Sequence, residues 1–350
     1  MTSLPPTLVV GCGLIGTSVA LALREHGIDV HLRDHDPAHV ATAVERGAGT
    51  ADPVTDPALV VVAVPPAATS AAVRDALAEH PGAVVTDVAS VKGTIVRALE
   101  DHEGRGRYVG SHPMAGSERS GPAAASARLF EGRPWVITPA EGAADASVRL
   151  VEEVAVMLGA VPITMEADAH DRAVALVSHV PQVLSTLAAA RLVDAPPAHL
   201  ALAGQGLRDV TRVAGSDPAL WQDIISTNAD EIGAVLASVR DDLDVLLASL
   251  HDRTTVGSVL EAGRAGTRAI PGKHGGDPVE LVVVHVQVPD TPGALSRLFA
   301  HVGESGVNIE DLRIDHELGR PVGLVEISVE ASRADTLVEH LAGHGWTTYR

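Results

Sequence analysis

Apolar and polar positions follow two different rhythms along this chain, and the rhythm changes near residue 165. Before that point, short apolar runs are separated by patterns of helical period. "TLVVGCG" (7–13) reads as a strand, and "LIGTSVALALREHG" (14–27) as a helix that Gly27 stops. "DVHLRD" (29–34) is a second strand. "LVVVAVPP" (59–66) is a continuous apolar run, as expected of a strand buried on both faces. "GAVVTDVAS" (82–90) and "RYVGSHP" (107–113) repeat that theme. Strands alternating with helices predict an α/β domain over residues 1–165, a doubly wound parallel sheet with right-handed crossovers.

From about Ala167 to His251 the period is helical, without clear strands, so residues 166–261 read as an all-helical domain. The Gly- and Arg-rich stretch "AGRAGTRAIPGKHGGDP" (262–278) reads as a linker. Residues 279–350 return to strands in the order β-α-β-β-α, with a short last strand at "GWTTYR", and form a small α+β domain.

Composition adds constraints. A chain of 350 residues is expected to form two or three domains. Aromatics make up 2% against 46% hydrophobic, so the cores must be built from Ala, Val and Leu. The lone Cys12 allows no intramolecular disulfide and reads as a packing residue in a reducing compartment. No charged-then-apolar leader opens the chain, and no apolar run reaches the roughly 18 residues of a membrane span. A cytoplasmic protein without a membrane partner is therefore expected. The net charge of −19 argues against nucleic acid as a partner. It also repels anionic ligands, so local positive groups would have to overcome the global field.

"VVGCGLIG" supplies Gly11, Gly13 and Gly16 in the G-x-G-x-x-G spacing, between a strand and a helix. Gly11 permits the tight turn, Gly13 lets a pyrophosphate approach the backbone, and Gly16 lets helix and sheet pack closely. The helix N-terminus, with Leu14 and Ile15, offers free N–H groups to the phosphates. Asp34 ends the second strand, where a carboxylate bonds a ribose diol and repels a 2′-phosphate, which favours NAD over NADP. Arg33 and His35 beside it could instead host a phosphate. The domain is thus read as Rossmann-type.

In such sheets, ligands bind beyond the carboxyl ends of the strands. The third run ends at Val64, the fourth delivers Ser90 and Lys92, and the fifth delivers His112. A neutral imidazole, with its reference pKa of about 6.5, can accept a proton near neutrality. Spacing alone leaves plainer roles open, with Ser90 capping the next helix and His112 bonding a loop carbonyl. Lys92 reads as ordering its loop or meeting cofactor phosphate. Arg208 and Arg212 share a helix face, and like charges there cost roughly a few tenths of a kcal/mol. Asp209 and Asp217 could relieve that internally. A substrate carboxylate held by guanidinium is the alternative. His170 and Asp171 look like a metal pair but lack a third ligand at suitable spacing, so they read as helix-start residues and no metal is expected.

Taken together, these residues resemble the prephenate/arogenate dehydrogenase family of tyrosine biosynthesis. The resemblance runs from residue 7 to about 250 and rests on "VVGCGLIGTSVALAL", "TDVASVKG", "GSHPMAGSERSG", "SHVPQ" and "LRDVTRVAGSDPALWQDI", in that order. The chain departs from the family at Ala89, where a Gly precedes the Ser, and at "GQG" (204–206), where a fuller Gly run is common. The C-terminal block, with "VQVPDTPGALSRLFAHVGESGVNIEDLRI", resembles an ACT domain, a ferredoxin-like small-ligand module. The resemblance implies NAD-dependent oxidative decarboxylation of prephenate to 4-hydroxyphenylpyruvate. His112 would take the proton of the ring hydroxyl, and Ser90 would hold the hydroxyl, His112 and the nicotinamide in register. Arg212 would anchor a substrate carboxylate. His179 and Gln182 would lie against the other end of the substrate, with Glu118 and Trp221 lining the pocket. The helical domain would bind substrate and form a homodimer. Asp290, Gly293, Asn308 and Ile309 would frame an effector site, with tyrosine as the expected inhibitor. Arogenate is the alternative substrate. Its ammonium asks for an acidic neighbour, and neutral Gln182 favours prephenate. Two other readings are a non-catalytic regulator binding NAD and an amino acid, and a β-hydroxyacid dehydrogenase. Ser90, His112 and Arg212 together speak against the first. The lack of any Lys between Lys92 and Lys273 speaks against the second.

Overall fold

The early apolar runs form strands that begin and end within a few residues of the predicted limits. A computed structural model describes residues 6–116, 119–270, 280–316 and 322–350. In chain order the elements are β1 (Thr7–Val10), α1 (Leu14–Glu25), β2 (Val30–Arg33), α2 (Pro37–Glu45), β3 (Leu59–Val62), α3 (Pro66–Glu79), β4 (Val84–Asp87), α4 (Gly93–Ala98) and β5 (Tyr108–Pro113). Three more complete the sheet layer: β6 (Pro134–Pro139), α5 (Asp145–Met157) and β7 (Val161–Thr164). The seven strands lie in the order β2-β1-β3-β4-β5-β6-β7.

The first five strands are parallel, as predicted. The last two correct that picture. β6 runs antiparallel to β5, and β7 runs parallel to β6. The connection from β5 to β6 contains no α-helix, so the chain reverses instead of crossing over. The sequence reading missed both strands because prolines bound β6 and occupy β7, and proline is a poor strand signal. The core beneath is built from Val, Leu and Ala, with Phe130 against Trp135 as an aromatic pair at 5.0 Å.

The helical segment opens with α6 (Ala167–Val174), a π turn (Ala175–His179) and α7 (Val180–Ala190). Pro181 offers no N–H to the preceding turn, and the backbone widens there. These pieces form one helix of 24 residues, long and apolar enough by length and composition to cross a membrane, which the run-length reading did not anticipate. Its buried positions include His170, Asp171, His179, Gln182 and Ser185, while Leu176, Val177 and Leu187 are exposed. Then come α8 (Pro197–Leu200), α9 (Gln205–Thr211), a 3-10 turn (Arg212–Gly215), α10 (Pro218–Thr227) and α11 (Ala229–Ala248).

The chain divides into two compact units, Met1–Arg240 and Asp241–Arg350. The sheet and the first helices of the segment thus belong to one body, because Asp171 and Asn228 bind the helices to each other and to the start of α4. In the second unit, α12 spans Arg253–Arg268. Residues 262–268 are therefore helical, not linker as the sequence suggested, because Ala and Arg favour helix strongly enough to carry Gly263 and Gly266. Residues 271–279 lie outside the described residues.

The remainder is β8 (Leu281–Pro289), α13 (Ala294–Glu304), β9 (Asp311–His316), β10 (Val322–Glu330), α14 (Ala334–Gly343) and β11 (Thr347–Tyr349). The sheet is antiparallel in the order β11-β8-β10-β9, the split β-α-β arrangement of ferredoxin-like folds. Val284, Val286 and Val288 alternate along β8 and pack in one core with Leu298 and Val302 of α13 and Leu337 and Leu341 of α14.

Candidate active site

The glycine loop stands between β1 and α1. Gly11 has φ +102°, and a Cβ there would lie 2.3 Å from the carbonyl oxygen of Ala63. A Cβ on Gly16 would fall 1.9 Å from the oxygen of Gly11, so helix and loop touch backbone to backbone. At Gly13 the same atom would meet nothing within 4 Å, which leaves the open approach that a phosphate needs. No side chain caps the N-terminus of α1, so its first N–H groups remain available to an anion beside Leu14 and Ile15. Half-buried Val64 follows β3.

Asp34 follows β2. Its Oδ2 accepts the Cys12 N–H at 2.5 Å, and its Oδ1 accepts the Asp36 N–H at 2.9 Å. Burial alone would raise its pKa, but those two N–H groups and the nearby His35 and His39 outweigh it and hold the carboxyl below its usual range. Arg33 is paired with Glu79 at 2.7 Å, which leaves it occupied rather than free for a phosphate. The Cys12 thiol is pushed up to about 12, first by burial and then by Asp34, as suits a packing residue.

His112 lies near the carboxyl end of β5, half-buried. Its Nδ1 is 2.9 Å from Nε2 of His170, and the rings meet edge to face at 5.2 Å. Nδ1 of His170 is in turn 2.8 Å from Oδ1 of Asp171. This chain of contacts fixes the protons. An ionised carboxylate only accepts, so His170 carries its proton on Nδ1 and presents a lone pair at Nε2. His112 must then donate from Nδ1, which leaves its Nε2 as the lone-pair atom. Burial, followed by His170, Lys92 and His179, holds the His112 imidazole well below 6.5, so it is neutral. His170 and Asp171 do lie near the start of α6, as the sequence suggests, and they are also buried members of this relay, which the sequence does not show. The available signal was helical spacing, which puts His170 and Asp171 one turn before buried Val174 and Ala175.

Asp171 also accepts the backbone N–H groups of Lys92 (2.8 Å) and Gly93 (2.7 Å). Burial would raise its pKa, but the bonds from His170, Gly93 and Lys92 lower it overall. Lys92 itself is fully buried. Its Nζ binds the Asp87 carboxylate and donates to the Ser111 carbonyl at 2.7 Å. The cofactor-phosphate role is therefore excluded and the loop-ordering role stands: with no surface exposed, the ammonium holds the ends of β4 and β5 together. Half-buried Ser90 sits in the loop pinned by Asp87 at Ala89 and by Asp171 at Lys92.

His179 forms a second centre. Asn228 Nδ2 lies 3.1 Å from its Nδ1 and 2.9 Å from the Asp171 carbonyl, so the amide donates to both. The His179 proton then sits on Nε2. Its pKa is brought down to about 4, by burial first and His170 second, against the pull of Asp171, so the ring is a neutral donor. Trp221 meets it edge to face at 6.0 Å. Gln182 differs from expectation: its amide donates to the Val213 carbonyl at 2.9 Å and so holds the 3-10 turn. Arg212 opens that turn, exposed, after α9 has ended at Thr211, so it does not continue the helix of Arg208. Asp217 is committed to capping α10, and Arg212 has no carboxylate partner among the described residues. Glu118 lies outside the described residues.

In the C-terminal unit, Gly293 takes the left-handed conformation at the start of α13, and Asn308 donates to Glu310 at 2.6 Å. Asp290 and Asn308 are exposed and Ile309 is half-buried. None of these four lines the cavity of about 470 Å³ in this unit, which is bordered by Arg297, His301, His344 and Trp346 among others.

A glycine-loop nucleotide fold with a neutral imidazole near a strand's carboxyl end defines an alcohol-oxidising dehydrogenase class. A family model for the prephenate dehydrogenase nucleotide-binding domain matches residues 19–164, and one for the prephenate dehydrogenase dimerization domain matches residues 166–256. The chain belongs to the prephenate dehydrogenase family. It is 36% identical over 356 residues to the Streptomyces niveus protein named "Probable prephenate dehydrogenase NovF", covering 97% of this chain and 98% of that one. A solved prephenate dehydrogenase from A. aeolicus, in complex with hydroxyphenyl propionate and NAD+, is 27% identical, with TM-score 0.69 over 77% of this chain and 99% of its own. Synechocystis arogenate dehydrogenase is 26% identical, with TM-score 0.64 over 76% and 100%.

Proposed function

We propose that this chain oxidises and decarboxylates prephenate to 4-hydroxyphenylpyruvate with NAD, in tyrosine biosynthesis. The observation that carries the reading is the relay from Asp171 through His170 to His112, which leaves a lone pair on His112 Nε2 near the carboxyl end of β5. That atom takes the proton of the ring hydroxyl, building the negative charge that expels hydride. Ser90 holds the hydroxyl in line. When bound, NAD accepts the hydride. The ring carboxylate leaves as CO₂, and aromatisation supplies much of the driving force. His179 donates from Nε2 to an oxygen at the far end of the substrate, against Trp221. Gln182 acts through the turn it holds, presenting Arg212 to a substrate carboxylate.

The dinucleotide would lie on Gly11, Gly13 and the start of α1, with its adenosine ribose on Asp34. Asp34→Ala is expected to lower the NAD/NADP ratio of kcat/KM at least tenfold, and an unchanged ratio rejects the ribose contact. Arg212→Ala is expected to raise KM by about 10–100-fold with kcat within a few-fold. A fall in kcat alone would remove its anchoring role.

NADH formation from prephenate and from arogenate, with and without tyrosine, tests the whole reading. Turnover of neither substrate ends it. Arogenate remains the second substrate, because the Gln182 amide oxygen could still accept from an ammonium. The C-terminal unit is read as an ACT-like effector module for tyrosine, supported by its β-α-β-β-α-β order. The exposed apolar side chains Leu176, Val177 and Leu187 support a homodimer through the helical segment. Cytoplasmic placement rests on the single buried thiol.

A further inference from the structure

We propose that His301, Glu304 and His344 form a site for a divalent transition-metal ion, zinc foremost, on the C-terminal unit. One ring nitrogen of each histidine and one Glu304 carboxylate oxygen lie within 4.8 Å of one another. His301 and Glu304 share a face of α13 at i and i+3, and His344 caps the end of α14. An ion there would tie the two helices that cover the sheet.

Nδ1 of His344 lies 2.9 Å from the His340 carbonyl, which only accepts, so His344 donates from Nδ1 and Nε2 is the atom left to ligate. That nitrogen is 3.7 Å from Glu304 Oε2. An imidazole nitrogen and a carboxylate oxygen thus face each other across a gap that a proton or a metal ion can bridge. Two ligands of a tetrahedral zinc, each at about 2.1 Å, stand roughly 3.4 Å apart, so little movement is required. Nitrogen and oxygen donors of this kind suit zinc, nickel, cobalt or copper rather than calcium or magnesium. His301 and His344 also border the cavity of about 470 Å³, which leaves room for water to complete the coordination.

Trp346 reports on occupancy. Its indole N–H donates to His301 Nδ1 at 2.9 Å. Metal on Nδ1 displaces that donor, and metal on Nε2 requires a proton on Nδ1 facing it. Either way the indole loses its acceptor.

The test is calorimetric titration of the tag-free, chelator-treated full-length protein with zinc chloride, alongside tryptophan fluorescence. Other histidines, including those near His112, can take zinc, so the comparison is with a Glu304→Gln/His344→Ala double variant. Wild type is expected to bind one more equivalent than the variant, with affinity at that site falling at least tenfold on substitution. The fluorescence change should vanish in Trp346→Phe while the calorimetric equivalent remains. Cobalt titration of wild type should give the visible absorption of a low-coordinate ion, a readout that does not depend on the variant folding. Equal stoichiometry in wild type and a folded double variant, or featureless cobalt spectra, overturns the site.

Discussion

His112→Asn is expected to reduce turnover by about 10²–10⁴-fold while leaving NAD affinity within a few-fold of wild type. The amide can still donate to His170 Nε2, so the local contacts survive, but it cannot take a proton. Stopped-flow NADH formation and a dinucleotide titration separate the two effects. The pH profile gives an independent check. A general base works unprotonated, and burial, together with His170, Lys92 and His179, holds this one well below 6.5. Activity should therefore stay level from neutrality to pH 6 and fall only as pH drops through the depressed value. An ordinary imidazole would be about 75% protonated at pH 6. An acidic limb centred at 6.5, or a variant with near-normal turnover, would falsify the assignment of the base.

His170→Phe should cost nearly as much, about 10²–10³-fold in kcat, though this residue need not touch substrate. The phenyl ring keeps the buried volume but accepts nothing from His112 Nδ1. The proton of His112 is then free to move to Nε2, where it blocks the reaction. Asp171 keeps its bonds to the Lys92 and Gly93 N–H groups, so the start of α4 should stay in place. His170→Gln offers an amide oxygen to His112 and is expected to recover part of the lost rate. A merely structural residue would instead show a thermal-stability loss that tracks activity, with no advantage for Gln over Phe at equal stability.

The glycine loop, the five parallel strands and the helical segment were legible because each is written locally. Gly11, Gly13 and Gly16 sit between a strand and a helix, and the turn geometry they encode involves neighbours in sequence. His112 was legible as a candidate because it ends an apolar run. Its partner was not, since His170 lies 58 residues away and "AHD" has the local look of a helix start. Lys92 was ambiguous for the same reason: only burial shows that its charge is spent on Asp87 and Ser111. Gln182 was read for its chemistry, but its amide is committed to Val213, a backbone contact 31 residues on. The stretch 262–268 carries linker-like glycines, yet the helix formers around them extend α12 through it.

The base and the groups that aim it come from opposite sides of residue 165. The sheet carries the imidazole, but Asp171, from the helical segment, dictates which of its nitrogens is idle and which is armed. A chain stopped after β7 would lack both His170 and Asp171, and with them the contact that fixes the proton on His112 Nδ1. The tautomer of one side chain thus ties the sheet to the helix that follows it, and a shift of α6 would be felt at His112 with the glycine loop unchanged.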